Sequence, residues 1–205
     1  MSDETLKTGT TTLGILCKDA VIIATEKKAT MGYLVESKEA QKLYKLDDHI
    51  GLTIAGSVGD AQAIVRIMRA QFKLYKLERG PITVKAAATL MSNVLQGSKY
   101  YPFMNMFLLA GYDERGPQVY SIDAIGGAST KDKFYSTGSG SPFAYGVLEA
   151  EFKESISKED AVALAVKAIR CAVERDIASG GKGFAVAIID KDGFRELSEK
   201  EISKF

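Results

Sequence analysis

The spacing of apolar positions changes period four times along this chain. Thr11 to Leu16 and Ala20 to Thr25 are short runs rich in β-branched residues, separated by the turn-like CKD, and they predict two strands. KLYKLDDHIGLTIAG predicts two more around a polar Asp47-Asp48 turn. From Ser57 to Arg79 the period becomes helical. Ala61, Ile64, Val65, Met68, Phe72 and Tyr75 share one face, and Gly80-Pro81 stops the run. Thr83 can cap a second helix, with Val84, Ala87, Ala88, Met91, Val94 and Leu95 inward. Strands return in MNMFLLAGYD, PQVYSID and KFYST. SPFAYGVLEAEF predicts a helix with Ser141 as cap and Pro142 at its first position. Ser157 with Asp160 gives a capping-box-like start to another, with Ile156 as staple. Its inward face is Val162, Ala165, Val166, Ile169, Ala172 and Val173, and Ser179 to Gly181 ends it. FAVAIIDKDGF closes the chain with a hairpin turning at KDG.

Both strand groups are apolar enough to need cover, and each helix pair has one stripe to bury. Two antiparallel sheets packed face to face, with a helix pair on each outer face, satisfy every stripe. The expected class is therefore α+β, in four layers.

Composition narrows the function. At 205 residues and 46% hydrophobic content, one substantial core is expected. A net charge of +1 argues against a nucleic-acid surface. No apolar run approaches the roughly 20 residues of a membrane span. The opening MSDETLKTG lacks the apolar centre of a secretory signal. Cys17 and Cys171 lie far apart with no metal-type spacing, which points to a reducing, cytoplasmic compartment. The single histidine, His49 in LDDHIGL, leaves no His-rich metal site and reads as a turn residue. Neither a metal nor a cofactor is expected.

The chemistry rests on TGTTTLGI. Three threonines after a glycine are an ordinary strand start, because threonine favours strands. They are also a candidate nucleophile, which needs a base. A terminal α-amino group, with an unperturbed pKa of about 7.7–8.0, can serve near neutrality. A cut between Gly9 and Thr10 would put nucleophile and base on one residue. Glu26 and Lys42 are solvated charges or partners of that threonine. Gly56, in IAGSVGDAQ, is a plain strand-to-helix turn or a source of free N–H groups for a developing anion. STGSGSP and RDIASGG are a flexible turn and a helix end, or parts of a site. Residue patterns alone leave each of these pairs open.

Taken together, TGTTTLGI, DAVIIATEKKAT, KLYKLDDHIGLTIAGSVGDAQ, STGSGSPFAYGVLE and RDIASGGKG resemble proteasome β-subunits of the archaeal, single-type kind, in register over essentially the whole chain. That family belongs to the N-terminal nucleophile (Ntn) hydrolases, whose fold is an αββα sandwich. The resemblance implies a leader over residues 1–9, removed by self-cleavage at Gly9-Thr10, and one catalytic domain over residues 10–205. It implies Thr10 as nucleophile, with its freed amine as proton acceptor. Lys42 would stand beside the threonine oxygen, and Glu26 would pair with Lys42, where many members have aspartate. Ser139, Asp176 and Ser179 would orient the amine, and the Gly56 N–H would hold the oxyanion. Thr30 and Gly56 would pair with an extended peptide substrate. Ala29, Ala40, Ile54 and Val58 would line the pocket before the scissile bond, predicting cleavage after large hydrophobic residues. The implied partners are six further copies in a homo-heptameric ring, proteasome α-subunit rings in a twenty-eight-subunit assembly, and a regulatory ATPase that delivers unfolded proteins. Absence of an extended N-terminal helix favours the β over the α type. The competing readings are a non-catalytic scaffold subunit on the same fold and an Ntn amidohydrolase acting on a small molecule.

Overall fold

A computed structural model describes residues 9–205. The leader expected over residues 1–9 therefore lies, except for Gly9, outside the described residues. In chain order the elements are β1 (Thr12–Leu16), β2 (Ala20–Glu26), β3 (Ala29–Met31), β4 (Leu34–Ser37), β5 (Leu43–Asp47) and β6 (Ile50–Gly56). Helices α1 (Val58–Arg79) and α2 (Val84–Gly97) follow. Then come β7 (Asn105–Asp113), β8 (Gly116–Ile122), β9 (Ala128–Lys131), β10 (Phe134–Thr137), α3 (Ser141–Glu151) and α4 (Lys158–Arg175). The chain closes with β11 (Phe184–Asp190), β12 (Gly193–Glu196) and a short α5 (Glu199–Ile202).

One five-stranded sheet has the order β10-β1-β2-β11-β12 and the other β5-β6-β7-β8-β9, while β3 and β4 pair apart as a hairpin, antiparallel throughout. Every residue of β2 is buried, as a strand covered on both faces must be. Its Val21 and Ile23 join Ala185, Ala187 and Ile189 of β11 in packing on Leu43, Ala110 and Val119 of the facing sheet. Ile22 and Ala24 point the other way, onto Ala165, Val166 and Ile169 of α4. Leu52, Phe107 and Leu109 pack against Met68, Phe72, Met91 and Leu95 of the other helix pair. The four expected layers are present. The sheets meet closely at Gly51, where a Cβ would stand 2.7 Å from the Ile23 Cδ1 and 2.8 Å from the Phe194 ring.

Three helix starts follow the sequence. Ser57, Thr83 and Ser157 accept hydrogen bonds from the N–H groups of Asp60, Ala86 and Asp160, each cap being worth about 1 kcal/mol. Other details differ. Val94 and Val173 are half-buried, because each stands at the edge of its helix's inward stripe. Helix α3 starts one residue early, with Gly140 as the cap and Ser141 already helical. A side chain at Gly140 would overlap the Thr11 hydroxyl. Helix α4 ends at Arg175 rather than at the glycines beyond it. The β3–β4 hairpin, β9 and α5 were not anticipated.

His49 is the turn residue expected of it, its Nε2 2.7 Å from the Ile82 carbonyl oxygen. Cys17 and Cys171 are free, and burial pushes the Cys17 thiol up to about 12. Among the described residues, no helix is long and apolar enough to cross a membrane.

Candidate active site

Thr10 stands just before β1, where the chain enters between β2 and β10, and is only 3% exposed. Its backbone is fixed on both sides. Gly140 N–H donates to the Thr10 carbonyl at 3.2 Å, and Glu26 N–H to the Thr11 carbonyl at 3.3 Å. The strand pairing that makes β1 a strand thus also aims the Thr10 side chain.

On its buried side, the Thr10 hydroxyl donates to the Gly9 carbonyl at 2.5 Å and accepts from Lys42 Nζ at 2.9 Å. Lys42 Nζ is also 3.4 Å from the Gly9 carbonyl oxygen and is paired directly with Glu26. Glu26 is held by the backbone: Thr11 N–H reaches one carboxylate oxygen at 3.4 Å, while Lys28 and Gly180 N–H reach the other at 2.6 and 3.0 Å. Burial raises the Glu26 pKa against the opposing pull of Lys42 and these N–H groups. Burial lowers the Lys42 pKa against the pull of Glu26 and Asp176. Burial thus works against the charged form of each partner, while their direct pairing works for it.

The other side of Thr10 is polar and open. Thr10 N–H donates to Ser139 Oγ at 3.2 Å. Ser139 and Ser179 hydroxyls each donate to Asp176 Oδ2 at 2.6 Å, and Ser179 Oγ lies 2.7 Å from the Thr11 hydroxyl. Asp176 reaches this position as the C-cap of α4, where its backbone turns extended. Its other carboxylate oxygen accepts from Ala178 N–H at 3.3 Å, an Asx-type turn that reverses the chain.

Gly9 is buried in a space with no room for a side chain. A Cβ there would overlap that of Ala178 and stand 2.9 Å from Ser139 Oγ. Gly56 lies apart from the hydrogen-bonded group, ending β6 just before the α1 N-terminus. Its φ of 139° is a conformation glycine favours, and a Cβ would overlap the Met104 carbonyl oxygen. Ile54 N–H donates to the Lys42 carbonyl at 3.0 Å, so β6 and the lysine are held as one unit.

Of the expected substrate-binding residues, Ala29 is buried and Thr30 half-buried on β3. Ala40 is half-buried and, with Lys42, lines a cavity of about 420 Å³. Ile54 is 2% exposed in the core beneath α1, and Val58 opens α1 at 39% exposure. The structure brings Thr10, Glu26, Lys42, Ser139, Asp176 and Ser179 into one network, which the substrate-binding candidates join only through the Ile54 N–H on the Lys42 carbonyl. Sequence reasoning missed Thr11, Lys28, Ala178 and Gly180. All four meet the site through backbone N–H groups or a methyl, which leave no mark in residue type. The glycine pair after Ser179 was the one available signal.

A family model described as "Proteasome subunit" matches residues 6–189. A protein named "Proteasome subunit beta" from Methanocaldococcus vulcanius is 53% identical over 203 residues, covering 98% of this chain and 90% of its own. The protein of the same name from Methanosphaerula palustris is 50% identical over 203 residues, covering 98% and 95%. That from Methanocaldococcus jannaschii is 50% identical over 198 residues, covering 96% and 88%.

Proposed function

The chain belongs to the proteasome subunit family, in its archaeal β-type branch, and from that premise we propose that Thr10 is the nucleophile of a threonine endopeptidase that first cuts its own chain. The subunit is a catalytic β-subunit of the proteasome core particle and assembles with α-subunits. One observation carries the reading of the site: the Thr10 hydroxyl is held between Lys42 Nζ and the carbonyl of the residue before it.

In the uncut chain the Thr10 nitrogen is an amide and cannot take a proton. Lys42, its pKa lowered by burial, takes the hydroxyl proton instead. The hydroxyl oxygen adds to the Gly9 carbonyl carbon, and Lys42 Nζ faces the oxygen on which negative charge collects. The C–N bond then breaks with a proton delivered to the Thr10 nitrogen, leaving an ester between Gly9 and Thr10. Water hydrolyses that ester, freeing a Gly9 carboxylate and restoring the Thr10 hydroxyl beside the amine released when the C–N bond broke. The freed amine, oriented by Ser139 with Asp176 and Ser179 behind it, becomes the proton acceptor for attack on substrates. Lys42 then lowers the electrostatic cost of ionising the hydroxyl, and Glu26 holds Lys42. The Gly56 N–H receives the oxyanion, a contribution worth on the order of 10²–10³ in rate.

Thr30 and Gly56 present backbone groups to an extended peptide by strand addition. Ala29, Ala40 and Val58 offer a small apolar lining backed by the core residue Ile54, so cleavage follows large hydrophobic side chains. A homo-heptameric ring, and an ATPase that feeds unfolded protein to it, complete the proposal. The presence of nucleophile, lysine, carboxylate and amine-orienting group together disfavours a scaffold role.

Intact-mass measurement of the purified assembly with α-subunits tests the mechanism, and the β chain should begin at Thr10. A chain that hydrolysed peptides while still starting at Met1 would sink it. In the same measurement, Gly9→Ala should slow leader removal about 100-fold. The new methyl meets Ala178 and displaces the carbonyl from the hydroxyl, and misplacements of about 1 Å cost that much.

A further inference from the structure

The segment from Asp176 to Gly180 serves every part of the site. Asp176 accepts from Ser139 and Ser179, Ala178 fills the space beside Gly9, and Gly180 N–H holds Glu26. Ser179 and Gly180 are buried, and the outer side of the segment is open. Ile177 is 83% exposed, and the chain leaves through Gly180 and Gly181 at φ values of 146° and 96°. The end of β2 holds the segment from outside. Lys27 N–H donates to the Gly180 carbonyl at 2.9 Å. The Lys28 ammonium donates to the Ile177 carbonyl at 2.6 Å and lies 3.5 Å from that of Ser179. Its stem runs along the backbone at Gly180, where a Cβ would stand 3.3 Å from Lys28 Cδ. Lys27 pairs with Glu199, whereas the Lys28 ammonium meets these carbonyls and, among the described residues, no carboxylate. The Lys28 backbone N–H is meanwhile fixed on Glu26. One residue thus joins the lysine–carboxylate pair to the group that surrounds the Thr10 nitrogen.

We infer that Lys28 is a positioning residue for the reaction of Thr10: its ammonium clamps the Ile177 and Ser179 carbonyls, holding Asp176 and Ser179 in register with the Thr10 nitrogen and Ala178 against Gly9. The inference rests on Thr10 as nucleophile. Lys28 touches no reacting atom, so it acts on kcat and on leader removal together and leaves KM alone.

The test uses β-subunit variants assembled with wild-type α-subunits and assayed on a fluorogenic hydrophobic peptide. Lys28→Met keeps the stem and removes the donor. It should lower kcat about tenfold with KM within about twofold of wild type, and slow leader removal by a similar factor. Lys28→Arg can reach both carbonyls and should stay within about threefold of wild type in both measurements. Lys28→Gln, too short to reach, reports the same split if Lys28→Met does not assemble. Wild-type rates in Lys28→Met, or a raised KM with unchanged kcat, overturn the inference. Failure of both the Met and Gln variants to assemble, with the Arg variant intact, assigns Lys28 to assembly and overturns it as well. Thr10→Ala, measured in parallel, separates the two levels. Activity in that variant removes the nucleophile reading itself, whereas an inactive Thr10→Ala beside a fully active Lys28→Met removes only the role of Lys28.

Discussion

Thr10→Ala leaves the leader attached and lowers peptide hydrolysis by at least about 10⁴-fold, the scale seen when a nucleophile is removed from a hydrolase site. The substitution deletes the one hydroxyl that lies against both Lys42 and the Gly9 carbonyl. Thr10 is held in place by its backbone, through its carbonyl and through the pairing of the strand that follows. The variant should therefore assemble with α-subunits as the wild type does, and intact mass should show a β chain beginning at Met1. Normal hydrolysis by that assembly would mean that another group attacks the substrate. A wild-type mass for the cut chain would mean that leader removal is not a reaction of Thr10.

The second large effect is expected at Lys42. Lys42→Met keeps much of the volume and removes both the proton acceptor and the charge beside the threonine oxygen. Glu26 then loses its partner and takes up a proton, since burial already raises its pKa. Leader removal and peptide hydrolysis should each fall by about 10²–10⁴-fold, the range for losing a general base. A pH profile gives the sign. Self-cleavage requires neutral Lys42, so its rate falls as pH drops below the lowered Lys42 pKa. It climbs with pH and levels off before the ordinary lysine value of about 10.4. A series of precursor samples released into buffers from about pH 6 to about pH 9, read by intact mass, checks this. A flat profile would exclude Lys42 as the acceptor.

The layers of this fold were legible because burial dictates them. Apolar period gave both helix pairs, and Ser57, Thr83 and Ser157 marked their starts. The β3–β4 hairpin was not legible, because Met31, Leu34 and Val35 are exposed and no alternation distinguishes them from a loop. Helix α5 was marked by a true capping box, Ser198 with Glu201, and its short length hid it. The end of α4 was misplaced for a different reason. Glycine is the usual stop signal, yet here the Asp176 carboxylate turns the chain first by accepting from Ala178 N–H. The site was less legible than the fold. Thr10, Lys42 and Asp176 were recognised through resemblance to a family, since no spacing rule connects residues so distant in sequence. Thr11, Lys28 and Gly180 act on Glu26 through main-chain N–H groups, which any residue but proline supplies.

Those distances impose a timetable on the newborn chain. Thr10 meets Ser139 across 129 residues, Glu26 meets Gly180 across 154, and Thr11 meets Ser179 across 168. Translation at roughly 5–20 residues per second puts about ten to thirty seconds between the emergence of Thr10, the proposed nucleophile, and that of its last partner. Throughout that interval the hydroxyl lacks the surroundings that make it reactive, and a stalled or truncated polypeptide never acquires them. A ribosome can therefore make this protease without being exposed to it.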